Sequence, residues 1–275
     1  MADPYLAIVT GGAQGIGYAI TVALLETGAK VHFLDVNSEE GNAAQKTFDK
    51  KYGAGKAKFV VCDVSDRAQL SEAFKDAKSQ LGGLNVVCNN AGITCPVFDR
   101  TRWPKVVSVN LSAAIHGTFL GLDLMGTSKG GNGGVVINTA AIAGLRPVPI
   151  APVYSATKHG IIGFSRSLAP VAISDNVRIN CICPDGTDTT LVSNSVAELL
   201  PVFSVAEIQS LLAKHVYGID TNNKQSTQSS NDMSSSLLLP ISVAEEVLKL
   251  IQDETKTGQA IVVSKVLGTY SHDFK

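Results

Sequence analysis

A doubly wound α/β fold of the Rossmann type, about seven parallel strands with helices on both faces, is what the sequence predicts. Three observations carry that expectation. Apolar runs of strand length alternate with amphipathic stretches of helical length almost without interruption as far as Cys183. The strand-like runs are near-continuously apolar rather than alternating, as parallel strands covered on both faces are. A glycine-rich turn, Thr10-Gly11-Gly12-Ala13-Gln14-Gly15-Ile16-Gly17, directly follows the first run and opens the first helix.

In chain order, the Val-, Ile- and Phe-rich runs predict strands over 5–9, 31–34, 58–62, 84–88, 135–138, 177–182 and 260–263. Helical stretches fall between them at 15–28, 39–52, 66–81, 105–126, 153–173 and 242–252. Repeated β-α-β connection winds right-handedly and lays helices on both faces of one sheet, so residues 1–275 read as a single dinucleotide-binding domain. Residues 191–240 form the loop region expected to select a substrate. Within it, TNNKQSTQSSNDMSSS at 221–236 has one apolar side chain, Met233. Such a segment buries too little to order itself and is expected as a disordered polar insertion or a lid.

The 275 residues are 45% hydrophobic, with 23 basic against 24 acidic side chains and a net charge of −1. That balance removes the electrostatic case for nucleic-acid or anionic-membrane binding. No apolar run reaches the ~18 residues that argue a bilayer span, so no membrane partner is expected. Five cysteines, odd in number and mostly inside apolar runs, fit reduced thiols in the cytoplasm better than a disulfide framework. Cys181-x-Cys183 is too closely spaced for a C-x2-C zinc hook, and no metal is expected. The N-terminus has no basic segment or cleavage site of a secretory signal.

The nucleotide end is the most legible. Glycines at 11, 15 and 17 allow a tight turn and close backbone approach to a pyrophosphate, with Gln14 and Ile16 beside it. Asp35 ends the second strand, 18 residues past Gly17. A carboxylate there accepts both ribose hydroxyls and repels a 2′-phosphate, which favours NAD over NADP. Two more loops fall at strand C-termini: Cys62-Asp63-Val64 and Asn89-Asn90-Ala91-Gly92. Asp63 either accepts from an adenine amino group or caps the next helix. Asn90, Ala91 and Gly92 form a turn that passes beside the adenosine.

The catalytic end follows the fifth strand. Tyr154 and Lys158 are spaced i, i+4, which puts them on one helix face. An ammonium ~4 Å from the phenol, at an effective dielectric near 20, lowers the tyrosine by roughly three pKa units. The pair is therefore expected to act as a general base toward an alcohol. His159 and His116 read as packing residues.

Through TGGAQGIG at 10–17, NNAG at 89–92, Asn110 and Tyr154-x-x-x-Lys158, the chain resembles the short-chain dehydrogenase/reductase family, and within it the NAD-dependent 15-hydroxyprostaglandin dehydrogenase branch. The resemblance implies roles. Tyr154 is the acid/base and Lys158 lowers its pKa while holding the nicotinamide ribose. Asn110 anchors a water between the lysine and solvent. Pro184, Thr187 and Thr189, just past the sixth strand, border the nicotinamide, with Thr189 on its carboxamide. A homodimer packed through the helices at 105–126 and 153–173 is implied, as is a small, lipid-like substrate.

The chain departs from that pattern at its reaction centre. The family's serine, 13 residues before the tyrosine, is Ala141 here, which carries no hydroxyl. Losing one such preorganised donor typically costs ~10²–10³ in rate. Thr139 shares its face without reaching the same point. A glutamine of prostaglandin-type relatives is Ala151, and the family's Pro-Gly reads Pro184-Asp185-Gly186. Asp185 is expected near the nicotinamide, either stabilising its oxidised form or turned to solvent. Two functions follow: an NAD-dependent dehydrogenase with reduced or altered activity, or a catalytically impaired NAD- or ligand-binding protein on the same scaffold.

Overall fold

Thr10, Asp35, Asn89, Thr139 and Pro184 end five parallel strands along one edge of a single sheet, and that edge positions everything below. The computed structural model describes residues 4–218 and 237–274. The polar segment 221–236 lies outside the described residues. The strands are β1 (Leu6–Thr10), β2 (Lys30–Asp35), β3 (Ala57–Val61), β4 (Val86–Asn89), β5 (Gly134–Thr139), β6 (Val177–Pro184), β7 (Ala260–Ser264) and β8 (Gly268–Ser271). Their order is β3-β2-β1-β4-β5-β6-β7-β8. The direction of winding reverses between β1 and β4, which opens a crevice above their C-terminal ends.

The helices are α1 (Gly15–Glu26), α2 (Ser38–Tyr52), α3 (Arg67–Leu81), α4 (Trp103–Val107), α5 (Ala113–Met125), α6 (Pro152–Ala172), α7 (Thr190–Leu199), α8 (Val205–Leu212) and α9 (Pro240–Gln252). Successive residues of a strand point to opposite faces. Val9, Val31 and Phe33 thus meet Ile20, Leu24, Phe48 and Val247 of α1, α2 and α9. Ile8, Leu34, Val87 and Val136 meet Leu70, Phe74, Met125 and Ala169 of α3, α5 and α6. Each fully buried Leu, Ile or Phe contributes about 1.5–3 kcal/mol, so both faces hold the sheet together. Asn37 and Asp66 cap α2 and α3 by accepting backbone N–H bonds, which fixes where two of the βα loops end.

Four readings of the sequence change. The sheet has an eighth strand, antiparallel on β7; Gly-Thr-Tyr-Ser is short, polar and mostly exposed, so no apolar run betrays it. The run at 58–62 is not covered on both faces, because β3 is an edge strand with Val61 exposed. The stretch 105–126 is not one α-helix: a π-helical turn at Ser108–Ser112 separates α4 from α5 and carries Asn110. The described part of 191–240 is helical rather than loop, with α7, α8 and a further π-helical turn at Ala213–Tyr217. A capping box, Ser204 with Glu207, starts α8 and was the missed signal.

Trp103–Met125 is long and apolar enough by composition alone to cross a bilayer. Here it lies against the sheet, where Gly117 and Gly121 bring its backbone close to Asn89 and Val136. All five cysteines are buried free thiols.

One interior group makes stability pH-dependent. His32 of β2 is 4% exposed and its Nδ1 has no hydrogen-bond partner. Burial, with help from Lys58 and against Asp76, lowers its pKa from 6.5 to about 4. The unfolded chain therefore binds the proton first as pH falls, so stability is fully present above about 6.5 and is lost between about 6.5 and 4. The loss should approach 3 kcal/mol. Denaturant titrations at several pH values should show that slope, and His32→Leu should flatten it.

Candidate active site

The glycine turn is built to hold backbone close to a ligand. Gly11 and Gly15 have φ of 64° and 57°, a left-handed conformation that L side chains rarely adopt. A Cβ on Gly11 would lie 2.9 Å from the Ala91 Cα. Gly17 has a different job from the one expected. It is buried beneath the turn, where a Cβ would come within 2.0 Å of the Gly11 carbonyl oxygen, and it does not line the cleft. The N-terminus of α1 receives no side-chain cap from Gln14, so its first N–H groups stay available to an anion in the cleft.

Every other residue expected to hold the nucleotide lies on the wall of one cleft of about 420 Å³. Gly11, Gln14, Gly15 and Ile16 form its floor. Asp35 and then Asp63 with Val64 mark one end, and Asn90, Ala91 and Gly92 mark the middle. Pro184, Thr187 and Thr189 approach from β6, and Tyr154 and Lys158 close the inner end. Asp35 is buried; one carboxylate oxygen accepts from the Ala13 N–H at 3.1 Å and the other from the Asn37 N–H at 3.0 Å. Each oxygen keeps a lone pair for a ribose hydroxyl. Asn90 braces the turn from behind, donating to the Thr10 and Gly11 carbonyls.

Asp63 does not cap α3; Asp66 does. Asp63 instead accepts from Ser65 at 2.7 Å and from the Lys105 Nζ at 2.8 Å. Those bonds, Lys105 first, hold its carboxyl at about 2. Lys105 is a cation at the outer end of the cleft that the sequence reading missed. Exposed Val36, beside Asp35, also lines that end.

At the inner end Tyr154 and Lys158 stand one turn apart on α6, with the Lys158 Nζ 5.4 Å from the centre of the Tyr154 ring. The expectation of a tyrosine drawn toward neutrality is not met. Burial pushes the Tyr154 phenol above its ordinary value, with the Cys183 thiol adding to the effect. Burial also lowers Lys158 to about 8, opposed by Cys183 and Cys181. Its Nζ donates to the Thr139 carbonyl oxygen at 2.6 Å. The ammonium is aimed at the strand end as much as at the phenol, which is why desolvation dominates.

Asn110 is fixed from both ends of its amide: Oδ1 accepts from the Ile93 N–H and Nδ2 donates to the Ile93 carbonyl, both at 2.8 Å. Its side chain therefore pins the loop after β4, and it does not line the cleft. A second buried amide pair went unread: Asn89 donates to Asn138, which donates to Ser165, tying α6 to the sheet below the reacting residues.

Ala141 lines both the cleft and a second cavity of about 570 Å³. Thr139 does not stand in for the missing hydroxyl, because it donates to the Asn90 Oδ1 at 3.3 Å. Asp185 lines the cleft and is not turned to solvent. Its carboxylate accepts from the Gly186 N–H at 2.8 Å, the Tyr217 hydroxyl at 2.9 Å and the Ser264 hydroxyl at 2.7 Å. The second cavity continues past Ala141, Ala151 and Asp185 under α7, α8 and the turn at Ala213–Tyr217. Outside the wall, the Arg102 guanidinium ties α7 to the segment after β4, donating to both Glu198 oxygens at 3.1 and 2.7 Å. The Phe98 and Phe203 rings make a second tie between the same two segments, with centroids 5.4 Å apart. His116 pairs with Ser71 and His159 with the Ser155 carbonyl, both away from the reacting pair.

Comparison with known proteins agrees with this geometry. Residues 5–199 match the family described as short chain dehydrogenase. The chain is 35% identical to the human 15-hydroxyprostaglandin dehydrogenase [NAD(+)] over 273 residues, which covers 98% of this chain and 94% of that protein. It is 32% identical to a 3beta-hydroxysteroid dehydrogenase of Mediterraneibacter gnavus, over 72% of this chain and 71% of the other. Among solved structures, levodione reductase superimposes with a TM-score of 0.75 at 28% identity, covering 94% of this chain and 95% of that one.

Proposed function

Because the chain belongs to the short-chain dehydrogenase family, we propose that it is an NAD-dependent oxidoreductase acting on a lipid-like secondary alcohol, with turnover limited by Ala141. One observation carries this reading: Tyr154 and Lys158 stand where the nucleotide cleft meets the second cavity, Tyr154 lining both. The glycine turn, the α1 N-terminus and Asp35 fit a dinucleotide. NAD, when bound, supplies the hydride acceptor.

The rest of the chemistry falls to the chain. Tyr154 must give up its phenolic proton and then take the proton of the substrate hydroxyl. Lys158 supplies the positive charge that favours the phenolate, and it holds the ribose. Asn110 keeps the loop after β4 in register with them. In the family the position of Ala141 carries a hydroxyl on the substrate oxygen; here that oxygen has Tyr154 alone among the expected donors. The test is direct: purified protein with NAD and a panel of secondary alcohols, read by the absorbance of the reduced nicotinamide. No reduction with any alcohol, despite NAD binding, would favour the second reading that Ala141 supports, a nucleotide- or ligand-binding protein without turnover.

Asp35 sets the expected nucleotide preference. A 2′-phosphate beside its buried carboxylate costs several kcal/mol at an effective dielectric near 20. NAD should therefore bind on the order of 10²-fold more tightly than NADP, and Asp35→Ser should erase most of that ratio in calorimetric titrations.

A homodimer is part of this reading. The outer faces of α5 and α6 support it, with exposed Phe119 against Phe164 and exposed Val171 beyond. Five buried free thiols support a reducing, cytoplasmic setting.

A further inference from the structure

We propose that the second cavity selects a neutral, predominantly apolar secondary alcohol and disfavours one carrying a carboxylate inside it, with Asp185 enforcing the choice. The proposal rests on the dehydrogenase reading above and names its substrate class. The first ground is what the wall lacks. Among the described residues lining the cavity there is no lysine, arginine or histidine. Asp185 is the one acidic side chain among them, and Ile142, Val148, Ile150, Leu199, Leu212 and Val216 supply much of the rest of the wall. A volume of about 570 Å³ lies within the range of small-molecule sites and admits a lipid-sized skeleton.

The second ground is that Asp185 cannot swing away. Its three donors come from three places: its own turn through Gly186, the π-helical turn at Ala213–Tyr217 through Tyr217, and the end of β7 through Ser264. The carboxylate is thus clamped on a wall that both cavities share, as is Tyr154. Burial, and then Asp185 itself, pushes the Tyr217 phenol above its ordinary value, so that group remains a neutral donor.

The third ground is that two arginines of flanking segments, both outside the wall, are already committed. Arg146 donates to the Val216 carbonyl at 2.6 Å, and Arg102 is held by Glu198 and Asp99. A substrate carboxylate in the cavity would be desolvated without a counter-charge. At ~8 Å from Asp185 and an effective dielectric near 20, repulsion alone disfavours it roughly thirtyfold. An uncharged chain meets no such term.

The experiment uses the full-length protein and matched long-chain secondary alcohols that differ only in one terminus, a carboxylate or its methyl ester. Two quantities are read, kcat/KM with NAD and the calorimetric Kd with NADH present. The ester is expected to exceed the acid by about tenfold or more in both, and Asp185→Asn is expected to bring the ratio to within about threefold. An acid that matches or beats its ester in the parent overturns the proposal. So does a ratio that Asp185→Asn leaves unchanged in a folded variant; if that variant does not fold, the parent's ratio decides. Absence of turnover with every alcohol defeats the dehydrogenase reading instead, and the Kd ratio then still decides the cavity's preference.

Discussion

Tyr154→Phe is expected to lower kcat for alcohol oxidation by about 10³-fold while leaving NAD affinity within about threefold. The substitution removes one oxygen from a half-buried ring and nothing else, so Lys158 keeps its bond to the Thr139 carbonyl and α6 keeps its packing. What disappears is the atom that takes the substrate proton. Because burial holds the Tyr154 phenol above its ordinary value, the parent should also gain rate as pH rises past neutrality, as more of the phenol ionises. The variant should lack that rise. Stopped-flow or steady-state rates across pH, with calorimetric NAD binding for both proteins, check the pair of outcomes. A variant that retains a tenth of the parent's kcat would move the acid/base role to another residue.

Ala141→Ser should act in the opposite direction, raising kcat by about 10²–10³-fold. Ala141 borders both the nucleotide cleft and the second cavity, so an added hydroxyl has open space toward the junction where the substrate oxygen must sit beside Tyr154. The nearest natural substitute is spent: Thr139 donates to Asn90. The gain should appear in kcat more than in KM, since the hydroxyl follows charge that grows on the oxygen during the reaction. Turnover in Ala141→Ser from an inert parent would mark the natural protein as a binding protein. An unchanged kcat would show that another donor already holds the oxygen.

The nucleotide half was legible from sequence because it is local. A glycine turn, a strand before it and a helix after it lie within a few residues, and Asp35 follows at a fixed interval. Even there Gly17 was misplaced, since a motif does not distinguish glycines that meet the ligand from the one that lets the turn pack on itself. The catalytic pair was found by spacing, but its electrostatics were not. The i, i+4 interval fixes a shared face, whereas the orientation of the Lys158 ammonium depends on Thr139, 19 residues away and on another element. Asp185 was read from a changed dipeptide, while Tyr217 and Ser264, its partners 32 and 79 residues on, have no local signature. Helices α7 and α8 were missed for a related reason. α7 and α8 lie outside the β-α-β rhythm, and the capping box at Ser204 is a two-residue signal in a stretch with no flanking strand.

The roof over the second cavity has a consequence for motion. Arg102 and Glu198 are 46% and 39% exposed, and an exposed ion pair of this kind is worth about 1 kcal/mol or less. The Phe98–Phe203 contact adds about 0.5–1.5 kcal/mol. Ties this weak are expected to break readily, whereas the cleft floor is anchored in a doubly covered sheet. Amide exchange should therefore separate the molecule into two tempos, rapid at 96–103 and 190–217 and slow along β1, β4 and β5. A ligand caught beneath the roof would slow the first set and leave the second as it was.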